Sequence, residues 1–548
     1  MLSARELAIS KNPDATSWVN ERIIYTHGNG ATMVPVNEVT AEGQPQLWIK
    51  DLPVTSTAGA PPIKQPRIYF GESDNHYVVV GARQAEFDYP LNSGGVSNDQ
   101  TTAWTGTTGI SLSSTFDRLL FAARFGDLDM LISDQVTANS QLLFHRTLSD
   151  RLGMIAPFLR YDKDPYLVVD DSGRLVYVQD AYTVTDRFPN ASAFDTSALG
   201  GKSGLANDDV NYIRNAVKIT MDAYDGTMHF YVADSSDPLI RAWQGVFPTL
   251  FQPLSDMPAG LVKHLRVPEE LFDVETRMYG QYHVTDPLTF FNNTDRWTVP
   301  AAQTNTQSLP SESYYVVMRM PGETTAEFLL LQPMIAASRP NMIAWVAARN
   351  DGAEYGKVKV FQFPAGTTVF GPAQIEARID QDPTISAQIT LWNQSGSSVV
   401  RGNLIVVPVG NSLIYLQPVY LQSTSSAFPE FQKIVVGSPT TIAWGSTLAD
   451  ALNTLIAKQG AGPGPSASPG TSPTPGPTAT PIVTPPPDSG LPSDVAGLIA
   501  YANQHYDTAQ TALRNGDFAT YGTEIAKVKA ALAQLSILTA SPGASTAP

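Results

Sequence analysis

The sequence predicts a β-rich α+β fold: antiparallel sheets with covering helices, plus a C-terminal helical hairpin after a disordered linker. Apolar runs of strand length recur between turn residues, most clearly at 168–178 and 216–233. Between 113 and 155 they give way to apolar residues three and four positions apart, the period of a helix. At 460–490 the composition changes to proline, glycine, serine and threonine. Together these observations favour sheets covered by helices and a tethered C-terminal segment.

Length and charge limit the classes of function. At 548 residues the chain exceeds the roughly 100–200 residues that one domain usually holds. Its 35 basic and 51 acidic residues give a net charge of −16, which repels phosphates, so we expect no nucleic acid partner. The chain has no cysteine, which fits either a reducing or an oxidising compartment. No apolar run reaches the roughly 20 residues of a membrane span, so we expect this chain alone to be soluble.

The chain is predicted to have five parts. Residues 1–310 form the N-terminal α+β portion, and residues 311–458 form a strand-rich second portion. Residues 459–490 form a Pro/Gly/Ser/Thr-rich linker, because they contain almost no large apolar side chain to offset the entropy of ordering. A helical hairpin at 491–538 and a disordered tail at 539–548 complete the chain.

Helices and hairpins are predicted within the N-terminal portion. Two or three helices fit residues 113–155, with Asp134 and Ser149 as N-caps. The strand pairs at 168–178 and 216–233 are predicted to be hairpins. The second is the stronger prediction, because its Asp225–Gly226 pair tolerates the positive φ angles of a two-residue turn. We expect the helices to cover one side of the resulting sheet.

The second portion is predicted to be an antiparallel sheet, barrel or sandwich. Apolar runs follow one another at short intervals, with turn residues between them. The predicted strands are Tyr314–Met320, Ala326–Leu331, Met342–Ala348, Lys357–Phe363, Ile385–Trp392, Val399–Val407 and Leu413–Leu421.

The C-terminal hairpin is predicted from two apolar stripes at helical spacing. The first stripe comprises Val495, Leu498, Ile499 and Ala502, and the facing stripe comprises Ile525, Val528, Leu532 and Leu535. Asn515–Gly516 ends the first helix, and Asp517 can cap the second. A hairpin of this size is marginal on its own, so we expect it to dock on another surface.

Local signatures of catalysis are missing. Seven histidines are scattered without the HExxH spacing of a zinc enzyme. Gly200–Ser203 fails as a phosphate-binding loop, because Thr196 stands where the motif needs glycine. No GxSxG turn of a serine hydrolase occurs. We predict no catalytic and no cofactor-binding residue, and the sequence favours a non-enzymatic role, although its many carboxylates leave a glycosidase open.

Acidic residues cluster between Asp162 and Asp171, beside the first predicted hairpin. Asp162 and Asp164 are the candidate metal ligands, for calcium, which accepts irregular shells of oxygen atoms. Tyr166 stands where an EF-hand loop would need a third oxygen ligand. The alternative, and the commoner role of such acids, is to cap turns and accept backbone hydrogen bonds. Calcium is the one cofactor that the sequence suggests.

Segments throughout the first 457 residues resemble one bacterial family. They include LSAREL (2–7), WVNERIIYTHGNG (18–30), PRIYFGE (66–72), RLGMIAPFLRYDKDPYLVVDDSGRLVYVQDAYT (151–183), NYIRNAVKITMDAYDGTMHFYVAD (211–234), HLRVPEELF (264–272) and GPAQIEARIDQDP (371–383). The chain thereby resembles uncharacterised protein family number 0182 (UPF0182), large multi-pass bacterial membrane proteins. The resemblance implies an extracytoplasmic domain at the bacterial cell membrane, in a chain that lacks the N-terminal membrane helices of its homologues. It supplies no activity and no catalytic residue.

Two hypotheses for the function remain open. The first is an envelope scaffold or assembly module, in which the hairpin packs on a neighbouring subunit of a homo-oligomer. The second is an enzyme or binding protein that acts on a cell-envelope polymer. It predicts a deep cleft in which two acids converge, roughly 5 or 9 Å apart as in glycosidases.

Overall fold

The computed structural model describes most of the chain. The described residues are 1–57, 59–93, 96–199, 203–205, 209–303, 308–310, 312–364, 366–394, 396–409, 412–423, 429–460, 491–492, 494–514 and 517–539. The predicted linker lies outside them from residue 461 onward, as do the predicted turn at Asn515–Gly516 and the tail from residue 540. The chain divides into two compact units, Met1–Gly464 and Pro465–Pro548.

The first 155 residues contain short strands in small sheets and three helices. The strands are β1 (Leu2–Ala4), β2 (Gly28–Asn29), β3 (Ala31–Met33), β4 (Ile49–Lys50), β5 (Thr55–Ser56), β6 (Arg67–Ile68), β7 (Val78–Val80), β8 (Glu86–Ser93), β9 (Val96–Thr102), β10 (Ile110–Ser111) and β11 (Gln141–Leu143). They pair in the orders β1-β3-β4-β5, β2-β6, β8-β9 and β10-β11-β7. The helices are α1 (Thr115–Phe125), α2 (Asp129–Ile132) and α3 (Leu148–Ile155).

A six-stranded central sheet follows, and it positions the candidate site. Its strands are β12 (Arg160–Tyr161), β13 (Tyr166–Val169), β14 (Leu175–Thr185), β15 (Tyr212–Asp222), β16 (Met228–Val232) and β17 (Phe251–Pro253). The order is β12-β14-β15-β16-β17, with β13 also on β14, and every pairing is antiparallel except β16 with β17. The helices of this region are α4 (Pro238–Val246), α5 (Ala259–Val262), α6 (Glu269–Tyr282) and α7 (Pro287–Asn292).

The rest of the first compact unit contains two further antiparallel sheets of five strands each. The second sheet has the order β18-β22-β23-β24 with β21 on β22, and the third has the order β25-β27-β28-β29 with β26 on β27. The elements are β18 (Trp297–Thr298), β19 (Ala301–Gln303), β20 (Ser308–Pro310), β21 (Tyr314–Arg319), β22 (Ala326–Ala336), β23 (Met342–Arg349), β24 (Val358–Gln362), α8 (Pro372–Gln381), α9 (Pro383–Trp392), β25 (Ser397–Arg401), β26 (Ile405–Val409), β27 (Ser412–Ser423), β28 (Glu430–Gly437), β29 (Ile442–Gly445) and α10 (Leu448–Gly460).

Both faces of the second sheet are buried, which explains its nearly continuous apolar strands. Leu329 and Leu331 of β22 join a core with α8 and the third sheet. Leu330, between them in sequence, points to the other face and joins a core with Phe272 of α6 and Trp297. Helix α6 therefore packs against the second sheet, while its first turn contacts loops of the central sheet.

The predicted α+β class, with antiparallel sheets and covering helices, is confirmed, and both hairpins of the central sheet are present. Gly226 takes the positive φ of +71° that the predicted Asp225–Gly226 turn requires. The second compact unit contains the predicted pair of helices, α11 (Val495–Arg514) and α12 (Phe518–Thr539). Leu498, Ala502 and Ala531 form the buried seam between them.

Several local predictions are wrong. The predicted strand at Ile385–Trp392 is the body of helix α9, because Asp382 caps it through the N–H groups of Thr384 and Ile385. Neither Asp134 nor Ser149 is an N-cap: Asp134 pairs with Arg83 at the surface, and Thr147 caps α3.

Three residues of the predicted hairpin stripes lie outside the seam. Val495, Ile499 and Leu532 are exposed, whereas Leu498, Ala502 and Ala531 make the buried contact between the two helices. Across the described residues, no helix has both the length and the apolar character needed to cross a bilayer.

Candidate functional site in a cleft beside the central sheet

The two predicted calcium ligands lie between β12 and β13, and protein groups already engage both. Asp162 is 5% exposed, and its carboxylate accepts hydrogen bonds from the Tyr182 hydroxyl and from the backbone N–H of Asp164. The Asp164 carboxylate accepts a hydrogen bond from the guanidinium of Arg266 at 2.6 Å. Burial raises the pKa of Asp162, against the effect of the Tyr182 hydroxyl. In the part of the chain that the structure describes, no three acidic or histidine side chains converge as a metal site would need. Calcium binding at Asp162 and Asp164 stays a prediction.

A buried ion pair lies on two neighbouring strands of the central sheet. Lys218 of β15 and Asp180 of β14 face each other across the ladder and pair directly. Lys218 also donates a hydrogen bond to the backbone carbonyl of Arg266 at 3.0 Å. Burial alone would lower the pKa of Lys218, but the Asp180 carboxylate raises it overall. Lys218 is therefore a buried cation that ties β15 to the segment before α6.

Glu270, in the first turn of α6, holds two loops against the sheet. Its carboxylate accepts hydrogen bonds from the backbone N–H groups of Lys163 and Gly204, each at 3.0 Å. Burial raises the pKa of Glu270 to about 7, and the neighbouring Asp162 carboxylate adds to the effect. Glu270 is 1% exposed, so its side chain does not face solvent. Its two hydrogen bonds position the N-terminus of α6 against the loops.

Arg266 connects the central sheet to the second sheet. Its guanidinium lies 4.1 Å from the ring centroid of Tyr166 on β13 and 4.8 Å from that of Tyr315 on β21. The Tyr355 hydroxyl, from the turn before β24, donates a hydrogen bond to the Arg266 carbonyl at 3.0 Å. These contacts, which join residues distant in sequence, fix the walls of the cleft described next.

An open cleft of about 650 Å³ lies where β15, α6 and the turn before β24 meet. Its volume falls within the range of small-molecule sites, roughly 300–1,000 Å³. Its polar and aromatic side chains include Phe188, Asn211, Tyr212, Arg214, Asp234 and Glu275.

Two aromatic rings form a fixed platform at one side of the cleft. The Phe188 and Tyr212 rings stack with centroids 4.9 Å apart and planes 16° from parallel. The Tyr212 hydroxyl donates a hydrogen bond to Asp237, which is 1% exposed and caps α4. The Asn211 side chain bonds both the backbone N–H and the carbonyl of Phe188, each at 2.9 Å. The Tyr212 ring and the Phe188 backbone are thus held in place, while Phe188 stays 44% exposed.

The charged side chains of the cleft have different electrostatic environments. Arg214 lies 5.8 Å from the Tyr212 ring centroid and 3.9 Å from the Asp234 carboxylate. A hydrogen bond from the Ser236 hydroxyl lowers the pKa of Asp234. Protein atoms around Glu275 displace water and raise its pKa, although the side chain is exposed at the cleft surface. One acid of the cleft is therefore the more readily ionised and the other the more readily protonated.

The sequence alone did not single out any of these cleft residues. Phe188, Tyr212, Asp234 and Glu275 come from a loop, the start of β15, the loop after β16 and helix α6. One part of the cleft could have been predicted from the sequence. Tyr212 and Arg214 are two positions apart on a strand, so their side chains lie on the same face of the sheet.

Comparison with known proteins establishes the family. The model of the family described as Uncharacterised protein family (UPF0182) matches residues 1–392. The chain is 41% identical to a UPF0182 protein of Desulforamulus reducens and 42% identical to one of Moorella thermoacetica, each over 98% of this chain. It spans only 55% and 56% of those relatives, slightly more than half their length. No solved structure matches. The chain belongs to the uncharacterised protein family UPF0182.

Proposed function

We propose that the chain is an envelope-facing portion of a bacterial membrane protein and acts there as an assembly module. Its placement outside the cytoplasm rests on the family resemblance. The relatives contain nearly as much chain again outside the matched region, which leaves room for membrane segments in them. The observation that carries the assembly role is an apolar helix face exposed on the first compact unit.

That face belongs to α1, and the short helix α2 that follows adds further exposed apolar residues. Phe116, Leu119 and Leu120 are 71%, 51% and 54% exposed, and their i, i+3, i+4 spacing places them on one side of α1. On α2 and at its start, Ile132 and Leu128 are 73% and 69% exposed. Soluble proteins rarely leave such contiguous apolar surfaces uncovered, and those that occur mark interaction sites.

A second copy of the chain is the partner that best fits this face. Its rim contains exposed charges of both signs, Arg124 and Asp129. In a two-fold interface the same surface of both copies meets, so a basic residue of one copy can contact an acidic residue of the other. A rim with charges of both signs can therefore pair with its own copy. An anionic lipid surface would instead favour a rim of basic residues.

Light scattering on the full chain tests the proposal. We expect an oligomer, and we expect Phe116→Gln combined with Leu120→Gln to shift it toward monomer, because two polar side chains would then be buried at the interface. The matched control is Leu288→Gln with Phe291→Gln on α7, which are 68% and 81% exposed. A monomeric parent chain, or an equal effect of the control pair, would contradict the α1 interface.

The C-terminal hairpin is a second candidate contact. Val495, Ile499 and Tyr506 of α11 are 43%, 48% and 49% exposed, and their spacing places them in one stripe beside the buried seam. We expect a chain ending at Gly460 to form a smaller assembly than the full chain. Gln504→Ala with Thr508→Ala, on the opposite side of α11, should leave the assembly unchanged, whereas Val495→Gln with Ile499→Gln should weaken it. Identical masses for the full and shortened chains would remove the hairpin from the assembly.

Protease accessibility tests the location. In spheroplasts of a producing bacterium, protease added outside should cleave the protein without lysis of the cells. Cleavage that requires lysis would place it on the cytoplasmic side.

A further inference from the structure

We propose that the cleft beside α6 binds a short, neutral saccharide segment, with the exposed Phe188 ring, backed by Tyr212, as its stacking platform and Arg214 and Asp234 as hydrogen-bonding partners. The proposal gives the polymer-binding hypothesis a defined site. It does not depend on the assembly role, because the cleft and the outer face of α1 share no residue.

The platform is the strongest indication of a ligand. Phe188 is 44% exposed, while the Asn211 amide holds its backbone at both polar atoms. Tyr212 is likewise anchored through its hydroxyl to a buried carboxylate. Binding sites gain affinity when their contact groups are fixed before the ligand arrives, since less conformational entropy is then lost.

The ligand class follows from what surrounds the rings. A sugar ring has apolar C–H faces and a polar edge of hydroxyl groups, so one of its faces can stack on the outer face of the Phe188 ring, whose inner face is covered by Tyr212. Arg214 is an obligate donor, and the ionised Asp234 carboxylate is an acceptor, so together they can bond both ends of a hydroxyl group. The Glu275 carboxylate is a further hydrogen-bond acceptor at the cleft surface.

Two other classes of stacking ligand fit less well. Nucleotides also stack on aromatic rings, but the net charge of −16 and two acids in the cleft oppose a phosphate. Quaternary ammonium groups bind aromatic faces, but Arg214 already places a cation near the Tyr212 ring. A neutral saccharide avoids both conflicts.

Isothermal titration calorimetry of the full chain with cellotetraose and with chitotetraose tests the proposal. We expect at least one of them to bind, and we expect Phe188→Ala to weaken that binding by about tenfold or more, equivalent to roughly 1.4 kcal/mol. Tyr212→Phe keeps the ring and loses the anchor to Asp237, so it should weaken binding less than Tyr212→Ala does. Far-UV circular dichroism should show Phe188→Ala folded, because the side chain is half exposed.

The control is Phe291→Ala, another exposed aromatic, which does not line the cleft and should leave the affinity unchanged. The proposal would be overturned if neither oligosaccharide released or absorbed heat at about 5 mM, a concentration well above the dissociation constant expected for a specific site. So would binding that is equal in the parent and in Phe188→Ala, or binding of adenosine monophosphate in preference to both sugars.

Discussion

Lys218 forms an ion pair with Asp180, its direct partner across the ladder of the central sheet, and the two side chains are 1% and 2% exposed. Charges so deeply buried persist only when they are paired and hydrogen-bonded, since their desolvation costs several kcal/mol per ion. The bond from Lys218 to the Arg266 carbonyl adds a third group, at the segment that leads into α6. The pair therefore lies directly behind the wall of the cleft.

Removal of the lysine should destabilise the first compact unit strongly. We expect Lys218→Met to lower the free energy of unfolding by about 3–5 kcal/mol, because it leaves the Asp180 carboxylate buried and unpaired. Urea unfolding followed by tryptophan fluorescence measures the loss. The double variant Lys218→Met with Asp180→Leu should recover much of it. A double variant as unstable as the sum of the two single variants would show that the pair is not coupled.

Glu270 should make stability depend on pH. Its pKa is about 7 in the folded protein against an ordinary value of 4.5, so the folded state binds the proton more tightly than the unfolded state does. The contribution of Glu270 to stability is therefore fully present below about pH 4.5 and is lost as the pH rises toward 7, by at most on the order of 3 kcal/mol. Urea unfolding between about pH 4.5 and 8 should show a shallower fall for Glu270→Gln than for the parent chain. Parallel pH profiles would count against the raised pKa.

Gly204 should tolerate no side chain. A Cβ atom there would lie 1.7 Å from the carbonyl oxygen of Tyr161, so Gly204→Ala must displace the backbone whose N–H group bonds Glu270. We expect a loss of about 1–3 kcal/mol in thermal unfolding. Gly245 in α4 is the matched control, because a Cβ there meets nothing within 4 Å. Gly245→Ala should be neutral or stabilise by up to about 1 kcal/mol. Equal effects at both positions would refute the steric argument.

Calcium binding at Asp162 and Asp164 can be tested by melting temperature. Binding would raise the melting temperature at about 1 mM calcium, a chelator would reverse the rise, and Asp164→Asn would abolish it. The ion would have to compete with Arg266 for the Asp164 carboxylate. Asp170→Asn is the control, since that carboxylate accepts the turn N–H groups of Ser172 and Arg174. An unchanged melting temperature in calcium would end the hypothesis.

Local chemistry predicted some features well and others poorly. At Asp170 the alternative reading, a turn acid that accepts backbone hydrogen bonds, is confirmed. At 385–392 the apolar run suggested a strand, but the decisive signal was the Asp382-Pro383 pair before it, an N-cap followed by proline in the first turn of α9. A run of apolar residues alone does not separate a short helix from a strand.

The sequence by itself determined the α+β class, the two hairpins of the central sheet and the paired C-terminal helices. These features depend on the spacing of apolar residues and on turns such as Asp225–Gly226, and both are set by residues close together in the sequence. Only the tertiary structure decided that Asp162 is buried, that Lys218 and Asp180 pair, and that Phe188 and Glu275 line one cleft. Burial, pKa and shared clefts arise from contacts between segments far apart in the chain, and no local pattern specifies which segments meet.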